Sequence, residues 1–272
     1  MKNSVAIHEI ETLTCQFEIQ FCGWMTDIYP WMQFKLHTPF WRLFYNMEEG
    51  GIIESADGCL RMRKNRFYLI PAYYEFSTHA EKPFKQFFIH FNFIDSVKVI
   101  GTQIYEIAED PLMAEHIKEF IQLYERHEKR IRCEMIAHTV LGHVLLRCPE
   151  EMEIKELPIN RRIHVALKYI SEHLNEKLDN NMLANHCGLA RNAFVRLFST
   201  TMEESPQAFV RRRKIERACY LLHFSNLSIK EIAKELGFAD QYCFSKTFAK
   251  LQHNSPSRFR KSHMSFKSDY SC

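Results

Sequence analysis

Two stretches of this chain, about fifty positions apart, place the same residue types in the same order. Leu183, Ala184, Gly188, Leu189, Phe194, Phe198, Ser205, Pro206 and Phe209 are matched by Ile232, Ala233, Gly237, Phe238, Phe244, Phe248, Ser255, Pro256 and Phe259. The offset is 49 up to Gly188 and Gly237 and 50 from Phe194 and Phe244 onward, so one residue is inserted in the turn. Each copy spells a short apolar helix, a glycine-containing turn and a second amphipathic helix, which is the helix-turn-helix order. Two such units on one segment suggest a protein that grips duplex DNA at two places.

The charge is divided in a way that fits this partner. Residues 160–272 carry 19 Lys and Arg against 10 Asp and Glu, or +9, leaving 17 and 23, or −6, for residues 1–159. A basic half joined to an acidic half favours nucleic-acid binding more than the overall charge of +3 suggests. Of the 36 aromatic residues, 20 precede residue 100, among them Trp24, Trp31 and Trp41, which points to a separate core there. The nine cysteines are odd in number and form no CxxC pair, so a reduced thiol set in a cytoplasmic protein is expected. The first residues lack an apolar signal core, and no stretch reaches membrane-spanning length, so no membrane partner is expected.

Residues 13–93 read as strands. Phe40 to Tyr45 and Phe67 to Ile70 are short aromatic and aliphatic runs, and Asp57-Gly58 suits a tight hairpin between Ile52–Ile53 and Cys59–Met62. Phe87, Ile89, Phe91 and Phe93 alternate with Phe88, His90 and Asn92. This pattern predicts an antiparallel barrel or sandwich. From Pro111 the period becomes helical, predicting two antiparallel helices split near Arg126–Arg130. Their apolar stripes suit a homodimer interface, which is preferred because two copies would double the DNA contact, the alternative being packing against the barrel. Residues 149–159 are charged, hold two prolines and lack periodicity, as a linker would. The expected division is therefore 1–148 for sensing and dimerisation, 149–159 as linker, 160–261 for DNA binding and 262–272 as flexible tail.

In the second repeat, Ile229, Ile232, Ala233 and Leu236 form one buried stripe, with Ser228 and Glu231 spaced as a capping box. Gly237 suits a left-handed helix end, and Asp240 can cap the next helix. Gln241, Tyr242, Ser245 and Lys246 are left facing outward; in the first repeat Arg191, Asn192, Val195 and Arg196 take the equivalent places. Pro206 to His223 reads as a helical spacer of roughly 27 Å, near the roughly 34 Å of one DNA turn. The run Arg211-Arg212-Arg213-Lys214 on it suits phosphate contact, the alternative being a solvated helix face.

The pattern Ile229-x-x-Ile232-Ala233-x-x-Leu236-Gly237-Phe238-x-Asp240-x-x-x-Phe244-Ser245-Lys246-x-Phe248-x-Lys250, then Ser255-Pro256-x-x-Phe259-Arg260, resembles the C-terminal signature of AraC/XylS-type bacterial transcription regulators. The resemblance covers residues 160 to 261. It implies an α+β chain whose C-terminal half is an all-α pair of helix-turn-helix units joined by a long helix. DNA-binding residues would be Arg191, Asn192, Val195, Arg196, Gln241, Tyr242, Ser245, Lys246, Arg211, Arg212, Lys214 and Arg260. The expected role is a transcription activator working as a homodimer, with RNA polymerase as a further partner. One departure stands out. The glycine usual before each Ser-Pro step is Glu203 in the first copy and His253 in the second.

The N-terminal half resembles the cupin-like barrel often fused to this unit, which binds a sugar or small organic effector. Arg42, Tyr45, Tyr68, His79 and His90 are the candidate pocket-lining residues, although the same aromatic excess also suits a plain core. No cofactor or metal is expected, because His37, His79 and His90 are isolated and no His-x-His occurs. Three rival readings differ in class. A cupin-type enzyme with a DNA-binding tail lacks clustered ligands, and an alkyl-accepting repair regulator needs four close cysteines that Cys15, Cys22 and Cys59 do not supply. The third is an effector-independent regulator whose N-terminal half only dimerises or binds protein. The leading reading assigns no catalytic residue.

Overall fold

Apolar side chains at alternate positions favour extended chain, because successive residues of a strand face opposite ways. The computed structural model describes residues 17–126 and 130–263. In it β1 (Phe17–Ile28), β8 (Phe84–Phe93), β3 (Trp41–Asn46), β6 (Arg66–Ile70) and β10 (Tyr105–Ala108) form one antiparallel sheet in that order. A second sheet runs β2 (Gln33–Leu36), β7 (Phe76–Ala80), β4 (Gly51–Ser55), β5 (Gly58–Arg61). The sheets face each other over a core that includes Trp31, Phe44, Tyr68, Phe76 and Phe88. Among the described residues the two are not joined into one hydrogen-bonded ring. The Asp57-Gly58 turn joins β4 to β5, with Gly58 at φ 123.

Two helices, α1 (Pro111–Glu125) and α2 (Arg130–Leu146), cover the outer face of the larger sheet. That double covering explains why all six residues of β3 are buried. Trp41, Leu43 and Tyr45 pack toward the helices, while Arg42, Phe44 and Asn46 alternate toward the other sheet. The expected helix pair is present, and the turn between its members falls partly outside the described residues.

The segment expected to be a linker holds a strand. β11 (Glu153–Glu156) pairs antiparallel with β9 (Val97–Ile100) from Glu153↔Ile100 to Glu156↔Val97. With a charged residue at three of its four positions, that strand shows no apolar alternation for sequence reading to detect. The expected flexible tail, 262–272, lies almost wholly outside the described residues.

The rest is helical: α3 (Arg161–Glu172), α4 (Asn180–His186), α5 (Arg191–Met202), α6 (Pro206–Phe224), α7 (Ile229–Glu235), α8 (Gln241–Gln252) and α9 (Pro256–His263). One core gathers Leu183, Phe194 and Phe198, and the other gathers Ile232, Phe244 and Phe248. The long α6 feeds both, giving Phe209 and Val210 to the first and Ile215, Ala218 and Leu222 to the second. Caps set the helix starts. Asp179 accepts from the Asn181 and Met182 amides, Ser228 and Glu231 complete a capping box, and Asp240 accepts from the Cys243 amide at 2.7 Å.

The repeat glycines share a conformation but not a setting. Gly188 sits at φ 62 with nothing near a Cβ, while at Gly237, φ 61, a Cβ would stand 2.4 Å from the Asn175 carbonyl oxygen. Gly188→Ala should therefore cost about 1–2 kcal/mol, the left-handed penalty alone. Gly237→Ala should cost more, because the loop at Asn175 must also move. Urea denaturation of the two variants checks this, and equal losses would refute it.

Candidate nucleic-acid interface

The second helix of each unit, α5 and α8, shows one exposure pattern. Arg191, Asn192 and Ala193 are exposed, Phe194 is buried, Val195 is half-buried and Arg196 is exposed. In α8, Gln241, Tyr242 and Cys243 are exposed, Phe244 is buried, Ser245 is half-buried and Lys246 is exposed. The buried phenylalanine of each helix fixes its rotation, so the polar residues at the first, second and sixth positions must face out. All eight residues expected to read bases lie on these two faces. Such a face carries donors and acceptors of the kind that recognise base edges in a major groove.

The basic run on α6 is placed differently from the expectation. Only Arg211 is exposed. Arg212 bridges Glu204 and Glu216, both at 2.7 Å, and Arg213 pairs with Glu216 at 2.9 Å and reaches toward Asp95 at 3.9 Å. Those carboxylates hold the Arg213 guanidinium above its ordinary pKa despite its burial. Lys214 is buried, donates to the Glu176 carbonyl at 2.8 Å and lies over the Phe238 ring, and burial lowers its pKa. Arg260 donates to the Leu227 carbonyl. Arg212, Lys214 and Arg260 are thus engaged with the protein itself, so the structure does not support phosphate contact by them. The Arg212–Glu216 spacing of four residues was a readable sign of this pairing.

The five candidate effector residues divide between two regions. Arg42, Tyr68 and His90 face the space between the sheets, with Arg42 directly opposite His90 in the register. Arg42 donates to Thr38 Oγ1 at 2.5 Å and lies over the rings of Phe40 and Phe76. Burial pulls its pKa down to about 9, and among the described residues no carboxylate forms an ion pair with it. Tyr45 and His79 are elsewhere. Tyr45 alternates to the helix side and donates to Glu109, and His79 lies on the outer face of β7 beside Glu54 at 3.7 Å. Strand alternation separates them from Arg42. Sequence reading missed the aromatic end of α6, where His223 lies 5.8 Å from His90 and 6.3 Å from Phe40, ring centre to ring centre.

Among the described residues no group of three or more His, Cys, Asp or Glu could hold a metal ion, and no helix is long and apolar enough to cross a membrane.

Comparison with known proteins adds relatives to this geometry. A family model described as a helix-turn-helix domain matches residues 183–262. The HTH-type transcriptional regulator YfiF of Bacillus subtilis, itself uncharacterized, is 23% identical over 93% of this chain and 86% of its own length. The arabinose operon regulatory protein of Escherichia coli is 32% identical, over 47% of this chain and 44% of that protein. Among solved structures, ToxT of Vibrio cholerae with an unsaturated fatty acid bound covers 96% of this chain and 100% of its own, at TM-score 0.51 and 9% identity. At that identity the likeness shows the fold alone.

Arg196→Ala should relax discrimination at one base position by about 1–3 kcal/mol, whereas Arg212→Ala should leave the salt dependence of binding unchanged. Competition binding at several salt concentrations checks both. A salt slope lowered by about one in Arg212→Ala would return that residue to the phosphate-contacting set.

Proposed function

We propose that the chain is a DNA-binding transcription regulator of the AraC type, in which α5 and α8, within the helix-turn-helix domain matched over residues 183–262, read two successive major-groove segments under the control of a small molecule. The observation that carries this is the matched exposure of the two helices around Phe194 and Phe244. Roughly 28 Å of α6 lies between the units, close to one turn of duplex. Selection of bound duplexes from random DNA by the full chain tests the reading. It should return two short conserved boxes about one turn apart, and a single box or no enrichment would overturn it.

Effector control rests on Arg42. A buried guanidinium without an anion beside it is costly, and a ligand bringing a carboxylate or paired hydroxyls would offset that cost. Such a ligand, a sugar or small organic acid, would also touch His90, and through His223 and Phe224 the end of the spacer helix. Regulation is then a change in how α6 is held, with no covalent step. Activation through RNA polymerase is the expected outcome of operator binding. The homodimer is assigned to α2, where Ile131 and Met135 are 74% and 65% exposed, an unusual state for large apolar side chains on one helix.

Two outcomes follow. Arg42→Met should melt no lower than the wild type, since it removes a buried charge while keeping similar volume. It should also lose any stabilisation that a panel of monosaccharides and small carboxylic acids gives the wild type. A ligand shift that survives Arg42→Met would place the effector elsewhere. Met135→Glu should shift the chain from dimer to monomer in sedimentation, and an unchanged mass would move the interface away from α2.

A further inference from the structure

The two departures from glycine, Glu203 and His253, occupy equivalent places at the ends of α5 and α8. Both keep the left-handed conformation that glycine adopts without strain, at φ 58 and φ 54. Glu is not among the residue types enriched at such an angle, whereas His, with Asn and Asp, is. Local turn preference therefore does not account for Glu203, and both side chains have a tertiary contact that glycine would lack.

Both side chains meet the N-terminal domain. Glu203 Oε2 accepts from Lys98 Nζ on β9 at 2.8 Å. The His253 ring lies 6.2 Å from the ring of His37, which follows β2 and packs against Tyr73 at 5.5 Å. Between these two points α6 closes on the same surface. Tyr73 donates to Glu216 at 3.2 Å, and Phe224 stacks on Phe21 with ring centres 4.3 Å apart. Glycines at 203 and 253 would leave the helices intact and remove both outer contacts.

We propose that Glu203 and His253 are positioning residues through which the N-terminal domain holds both reading helices at once, and so sets the spacing at which they engage DNA. The contacts lie at the far ends of α5 and α8, about 18 Å along each 12-residue helix from its start. Arg191, Asn192, Gln241 and Tyr242 are at the opposite ends, so docking leaves the reading faces open. The docked chain is therefore competent to bind and is restricted in geometry. A rigid pair of heads gains affinity at one box separation and loses it at others, while a loosened pair tolerates several. The effect rests on the DNA-reading function proposed above and extends it to operator spacing.

The test uses the full chain and duplexes carrying the two selected boxes, separated by the selected spacer or by one base pair more or fewer. The wild type should lose about tenfold in affinity at each altered spacing, roughly 1.4 kcal/mol. The Glu203→Gly/His253→Gly variant, whose turns are relieved of strain and should fold, is expected to lose less than about threefold while matching the wild type at the selected spacing. Lys98→Glu should relax spacing in the same direction, and Lys98→Glu combined with Glu203→Lys should restore it, a rescue that mere damage to the turn would not give. A glycine variant with the wild-type spacing profile overturns the proposal, as does failure of the charge exchange to rescue. If the wild type recovers no duplex sequence at all, the DNA-reading function itself fails and the clamp fails with it.

Discussion

The helix α6 is the element on which the other parts of this molecule depend. It supplies Phe209 and Val210 to one small core and Ile215, Ala218 and Leu222 to the next. Neither core contains enough apolar surface to be indifferent to losing that wall. The relation between α5 and α8 is thus set first by a stiff rod shared between their cores, and contacts outside the rod can only restrict it further. Lys214 tightens it further, joining the Glu176 carbonyl of one unit to the Phe238 ring of the other. Gly237 allows the same close approach, since its backbone lies against the loop at Asn175.

The same rod is the meeting place of the two halves. Asp95, Glu204 and Glu216 neutralise Arg212 and Arg213 beneath the N-terminal sheet. Exposed ion pairs contribute little, whereas these are partly shielded and form a network, so they specify how the halves meet. At the other end of α6, His223 and Phe224 lie against the rings that surround Arg42. A change between the sheets can therefore be felt by the DNA-binding half without passing through a flexible joint. The expected linker adds to this, because β11 fastens it to β9.

Much of this was legible in residue order. The repeat located α5 and α8 and fixed which side of each faces outward, because Phe194, Phe198, Phe244 and Phe248 recur at helical spacing and can only be buried. Ser228, Asp240 and Gly237 marked helix ends through local hydrogen bonding and backbone sterics, which act over a few residues and need no tertiary context. Alternation in β8 likewise predicted its two faces, with Phe87, Ile89 and Phe91 on one and Phe88 and His90 on the other.

What the residue order left open concerns partners distant in the chain. Charge alone cannot say whether Arg212 meets a phosphate or Glu204, since both are acceptors of the same kind and only packing brings one within reach. Tyr45 and His79 looked like companions of Arg42 until strand register turned them to other faces. The odd residues Glu203 and His253 were visible as exceptions, but their reason lay in β9 and the end of β2, more than a hundred positions away. Local sterics and periodicity are written in neighbouring residues and could be read directly. Long-range pairing depends on how whole elements dock, and only the folded chain decides it.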